Sequence, residues 1–74
     1  MGTAYILLNV DPGHEEDVLQ SVRGTSKVSE AHRIYGIYDT IVKVTGDQEE
    51  IKKTIMHIRG FKHIRSTLTL TVIE

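Results

Sequence analysis

The sequence predicts a ferredoxin-like α+β fold of order βαββαβ, a four-stranded antiparallel sheet with both helices on one face. Three observations predict it. Apolar, β-branched runs and amphipathic stretches follow one another as strand, helix, strand, and then do so again. The two halves meet at the short segment YGIYDT, residues 35–40, which has the turn residues of a hairpin. The last run alternates strictly between threonine and an aliphatic residue, the period of a strand.

Residues 4–10, AYILLNV, are apolar at nearly every position, and Ile, Val and Tyr suit a strand. Asp11, Pro12 and Gly13 end it with turn chemistry. Residues 14–23 read as a helix. Glu15, Glu16 and Asp17 fill its first turn, where the positive end of the helix dipole favours them. Val18, Leu19 and Val22 form its apolar stripe, and Gly24 is its expected C-cap. Residues 28–35 and 40–45 are the next two strands. Asp47 opens the second helix as N-cap, with Glu50 three residues on in a capping-box pattern. Ile51, Ile55 and Ile58 make its buried stripe, and Arg59 and Gly60 end it. The last strand, residues 64–73, sets Leu68, Leu70 and Val72 on one face and Thr67, Thr69 and Thr71 on the other.

A chain of 74 residues is expected to form one domain, residues 1–74, and to bury only about 60% of its unfolded surface. It has no cysteine, so no disulfide or thiolate metal site stiffens it. Oligomerisation is the remaining common way to bury more apolar area. The formal net charge of −1 gives no general attraction to nucleic acid or anionic lipid. No apolar run approaches a membrane span, and the N-terminus lacks the basic start and cleavage site of a signal peptide. The expectation is a soluble cytoplasmic protein. Two helices cover only one face of the sheet. The first strand divides into Ala4, Ile6 and Leu8 against Tyr5 and Leu7, and the third into Val42 and Val44 against Ile41 and Lys43. The second of these faces, with the threonines of the last strand, is mixed but apolar enough to want a partner. Two chains packed sheet to sheet, as a dimeric α/β sandwich or barrel, would cover it.

The YGIYDT segment has two readings. One is a plain hairpin with an Asx turn. The other is a site: Gly36 lets the backbone turn and expose its N–H groups, while Asp39 offers a carboxylate. Exposed N–H groups beside one carboxylate could hold both ends of an amino-acid zwitterion. The whole chain resembles the effector domain of the Lrp/AsnC family, the leucine-responsive and asparagine-operon regulators, called the RAM domain (regulation of amino-acid metabolism). The matching pieces are AYILLNVDPG, then GIYDTIVKVTG with its Gly-Asp helix start, then IRSTLTLTVI. The resemblance implies sheet-to-sheet dimers that assemble into larger, octamer-like rings, with an amino-acid effector bound between dimers. Carried over by motif, it implies an effector site at Gly36, Ile37, Tyr38, Asp39 and Thr40, with hydroxyls from Ser66 and Thr67. It implies no cofactor and no catalysis. Most family members carry an N-terminal helix-turn-helix. Here the first strand begins within a few residues of Met1, so the expectation is a stand-alone effector module. It would not contact nucleic acid itself, and co-assembly with full-length relatives would link it to transcription.

Two rivals belong to other classes. Small dimeric ferredoxin-like enzymes, cofactor-free oxygenases or isomerases, need a His, Asp or Tyr in a pocket between helices and sheet; His32 or Tyr35 lining such a cavity would favour that reading. Metal or metabolite carriers of this fold place Cys or Met near the first turn, and Asp11-Pro12-Gly13-His14 has neither. His14, His32, His57 and His63 show no ligand spacing and read as surface residues. Lys52, Lys53, Arg59, Lys62 and Arg65 read as a solvated basic face, partly paired with Glu49.

Overall fold

The computed structural model describes residues 1–73 and has the predicted element order. The elements are β1 (Gly2–Val10), α1 (Glu15–Arg23), β2 (Val28–Arg33), β3 (Thr40–Gly46), α2 (Gln48–Arg59) and β4 (Ile64–Thr71). The strands form one antiparallel sheet in the order β2-β3-β1-β4. Ala4, Ile6, Leu8 and Val10 of β1 and Val42 and Val44 of β3 turn to the helix side. There they meet Val18, Leu19 and Val22 of α1 and Ile58 of α2 in one aliphatic core. No helix among the described residues is long and apolar enough to cross a membrane.

Because the strands alternate in direction, the sheet has two chemically distinct ends. The turn pole gathers the β2–β3 connection, the β1–α1 loop and the α2–β4 loop. The opposite pole gathers the end of α1 and the start of α2. At that second pole Asp47 caps α2: its carboxylate accepts from the Glu50 N–H at 2.8 Å, and Glu50 accepts from the Asp47 N–H at 2.9 Å. The other Glu50 oxygen lies 2.9 Å from Lys27 Nζ, which ties the α1–β2 loop to α2. The Asp47 N–H, and then Lys27, hold the Glu50 carboxyl below its ordinary range, and the hydrogen bond to Glu50 raises Lys27. Gly46 has φ 155°, and a Cβ there would lie 2.8 Å from the Glu50 carboxylate.

The structure corrects four expectations. The second strand ends at Arg33 rather than at 35, because the chain leaves the ladder and Ile34 N–H donates to the Asp39 carbonyl. Gly24 and Gly60 are the C-caps of the two helices, as expected, in the right-handed conformation with φ values of −82° and −86°. The reversal comes three residues later, at Lys27 (φ 75°) and His63 (φ 71°). In β4 the leucines face away from the helices. Leu68 pairs with Leu7 and Leu70 with Tyr5 on the open face, while Thr67 and Thr69 lie beside Leu8 and Ile6 on the helix side. The cause is position: β4 is the edge strand, and α2 packs chiefly over β3 and β1, so the helix side of β4 is half-wet and suits threonine. For the same reason Ile51 and Ile55 are only partly buried, and the fully covered residues of α2 are Thr54 and Ile58. The expected Glu49 pairs with Lys52 and Lys53 are absent among the described residues, in keeping with the small worth of exposed ion pairs.

Candidate functional site

Asp39 fixes the turn to the sheet. Its N–H donates to the Leu8 carbonyl at 2.8 Å, and its carboxylate Oδ2 accepts from the Val10 N–H at 2.9 Å. These bonds fall where the β1–β4 register shifts between Asn9 and Val10. The carboxylate therefore satisfies a strand donor at an irregular point of the ladder, and its other oxygen makes no hydrogen bond within the described chain. Between this anchor and Ile34 the tip stands clear of the body. Tyr35 is fully exposed and Ile37 is 87% exposed. Gly36 has φ 151°, with open space where a Cβ would be. The backbone N–H groups of Gly36, Ile37 and Tyr38 find no acceptor among the described residues. Tyr38 and Asp39 are half-buried at the base.

The other candidate residues share this pole but divide between the faces of the sheet. Thr40 is fully buried and its hydroxyl has no partner. It lies in one cross-strand row with Leu8 and Thr67, on the helix side. Ser66 lies on the open face, where its hydroxyl accepts from Asn9 Nδ2 at 3.0 Å. Gly36 to Asp39 form one cluster, then. Thr40 and Thr67 stand behind it, with Leu8 between them, and Ser66 approaches from the opposite face.

A histidine pair that the sequence reading missed completes the pole. His14 and His63 stack with ring centroids 3.5 Å apart and planes 4° from parallel. His14 Nδ1 is 3.6 Å from Asp17, and His63 Nδ1 is 3.5 Å from Asp11. The pairing rule of β1 and β4, with the Asp11 N–H donating to the His63 carbonyl at 2.8 Å, is what brings two distant histidines together. No cluster of three or more metal-ligating side chains occurs among the described residues.

The open face has Leu7, Ile41, Leu68 and Leu70 at its centre, with Tyr5 beside them. A polar corner flanks them: Glu30 lies 3.1 Å from His32 Nε2 and 3.7 Å from Lys43 Nζ. The His32 hydrogen bond, then Lys43, holds the Glu30 carboxyl below its usual range. His32 belongs to this outer corner and Tyr35 to the exposed tip, so neither enters the space between helices and sheet. The side chains that do point there from the strands are aliphatic, apart from Thr40 of β3 and Thr67 and Thr69 of β4.

The comparisons agree with this geometry. The chain superposes on the crystal structure of FFRP-DM1 with a TM-score of 0.91 and 36% identity, over 99% of this chain and 100% of that one. It matches the hypothetical protein PHS023 from Pyrococcus horikoshii with the same score and identity, over 100% of this chain and 92% of that one. The transcriptional regulator NMB0573 of Neisseria meningitidis, solved as a complex with L-Met, shares the fold at a TM-score of 0.83 and 16% identity. There 99% of this chain spans 50% of the regulator. No curated protein matches the chain. The family model of the Lrp/AsnC ligand binding domain matches residues 3–74, so the chain belongs to that family of regulatory domains.

Proposed function

We propose that the chain is the effector-sensing and assembly module of an Lrp/AsnC-type transcription regulator, with an amino acid as its effector. The observation that carries this reading is the tip of the turn. Three unspent N–H groups, of Gly36, Ile37 and Tyr38, stand beside a carboxylate with one free oxygen. Such donors suit the carboxylate of an amino acid, and the Asp39 oxygen suits its ammonium group. The Neisseria regulator solved with L-Met supports the ligand class. Ser66 supplies a hydroxyl from the open face, while Thr40 and Thr67 back the site from the helix side. The tip is open to solvent, so a neighbouring copy completes the enclosure. Leu7, Ile41, Leu68 and Leu70 join two copies sheet to sheet, and these dimers build an octamer-like ring that can include full-length relatives.

Amide-resolved titration of the labelled protein with each of the twenty amino acids tests the reading. One or a few of them shift the resonances of residues 36–40. Asp39→Asn keeps an acceptor for the Val10 N–H but removes the charge, and weakens binding by about tenfold or more, the worth of a charged hydrogen bond. No shift at the turn with any amino acid removes the sensing role.

A further inference from the structure

The turn and the open face leave one large apolar surface unused. α2 packs chiefly over β3 and β1, so a groove of about 680 Å³ lies open between α2 and the edge strand β4. Its helical wall runs from Gln48 to Arg59, about 16 Å at 1.5 Å per residue. Ile51 and Ile55 are half-buried in this wall, Met56 is 62% exposed, and Val72 lines the groove just beyond the end of β4.

Charge is graded along the groove. Glu49 and Lys52 border its first half, one helical turn apart, and cancel in net charge. Arg59 borders the far end, where no acidic side chain lines the groove, and it forms no ion pair among the described residues. An apolar trough about three helical turns long that ends at one unpaired guanidinium suits an elongated apolar body with an anionic head. The planar fork of the guanidinium matches a carboxylate through two parallel N–H bonds. A single aromatic ring would cover only part of the wall. An amino-acid zwitterion would find nothing beside Arg59 to take its ammonium group.

We propose that the α2–β4 groove is a binding site for a medium-chain aliphatic carboxylate. The acyl chain lies along α2 and covers Ile51, Ile55 and Met56, and the carboxylate accepts from the Arg59 guanidinium. Removal of this apolar surface from water drives binding, and the charge at Arg59 sets the direction in which the chain lies. Met56, unbranched and flexible, adapts to the chain. The site uses none of residues 36–40 and no second copy, so it stands even where the turn binds nothing.

Amide-resolved titration with sodium decanoate, held below the concentration at which it forms micelles, tests it. The resonances of residues 51–59 and 71–72 are expected to shift together and to saturate. Butyrate, which has the head without the chain, is expected to give no saturable shift, and decanol, which has the chain without the charge, to bind several-fold more weakly. Arg59→Gln is expected to weaken decanoate binding by about fivefold, the worth of an exposed charge pair. Lys53→Gln removes a cation from α2 outside the groove and is expected to change nothing. Both positions are exposed, so the fold survives, which the same spectra verify. No saturable shift with decanoate, or an equal loss in both variants, would overturn the proposal. Shifts centred on residues 36–40, or on Leu7, Leu68 and Leu70 of the open face, would overturn it as well.

Discussion

The two helices begin under opposite conditions. At the start of α2, Asp47 and Glu50 satisfy each other's backbone N–H groups and Lys27 closes the arrangement. At the start of α1, His14 stands at the N-cap with no side-chain hydrogen bond, and its buried Nδ1 has only the Asp17 carboxylate at 3.6 Å. The unpartnered Thr40 hydroxyl and the free N–H groups of the tip belong to the same end of the sheet as His14. One pole of this small domain spends its polar groups on itself. The other leaves several of them unspent, and the proposed effector site rests on that difference.

Glycine substitutions should separate the poles most widely. Gly46→Ala is expected to cost roughly 2 kcal/mol, because φ 155° is strained for alanine and the new Cβ displaces Glu50. Gly36→Ala has a similar φ but open space around it, and should cost about half as much by denaturant unfolding. Equal costs would mean that the capped pole is no tighter than the turn. Next in size are the caps. Asp47→Ala should lose about 1 kcal/mol, whereas His14→Ala, which removes no cap bond, should stay within about 0.5 kcal/mol. Thr40→Val removes a buried hydroxyl that has no partner and should stabilise the free protein by up to about 1 kcal/mol. A loss of stability there would show that Thr40 is satisfied in solution.

The smallest difference is in acid. The folded state binds the Glu50 proton less tightly than the unfolded state does. Its contribution is therefore present above the ordinary value of 4.5 and is lost as pH falls through the lower folded value. Glu30 has the same sign, so Glu50→Gln should flatten the acid limb of a stability–pH curve only in part. An unchanged limb would place the acid sensitivity elsewhere.

The sequence made the element order, the core of β1 and β3 and the capping box readable, because each rests on local periodicity or on residues three apart. The side of β4 was not readable. A strand that alternates leucine and threonine fits either way, and hydrophobicity alone turns the leucines inward; only the position of β4 beyond the helices reverses that. The stacked histidines were hidden by their distance along the chain. In the candidate site, Gly36 and Asp39 were visible as turn chemistry. The use of one Asp39 oxygen by Val10 was not, because it depends on a register shift in a different strand pair.

The strand order has a consequence for how the molecule forms. β1 is made first, yet one of its two partners is β4, the last element of the chain. The β1–β4 pairing spans the greatest sequence separation in the sheet, so the largest loop-closure cost falls on it, and long-range pairing slows folding. Until β4 arrives, a growing chain presents β1 as a bare edge, apolar at most positions and open to pairing with any other strand. The docking of residues 64–71 is therefore expected to be a slow, late step of folding, and the one that closes the exposed edge of β1.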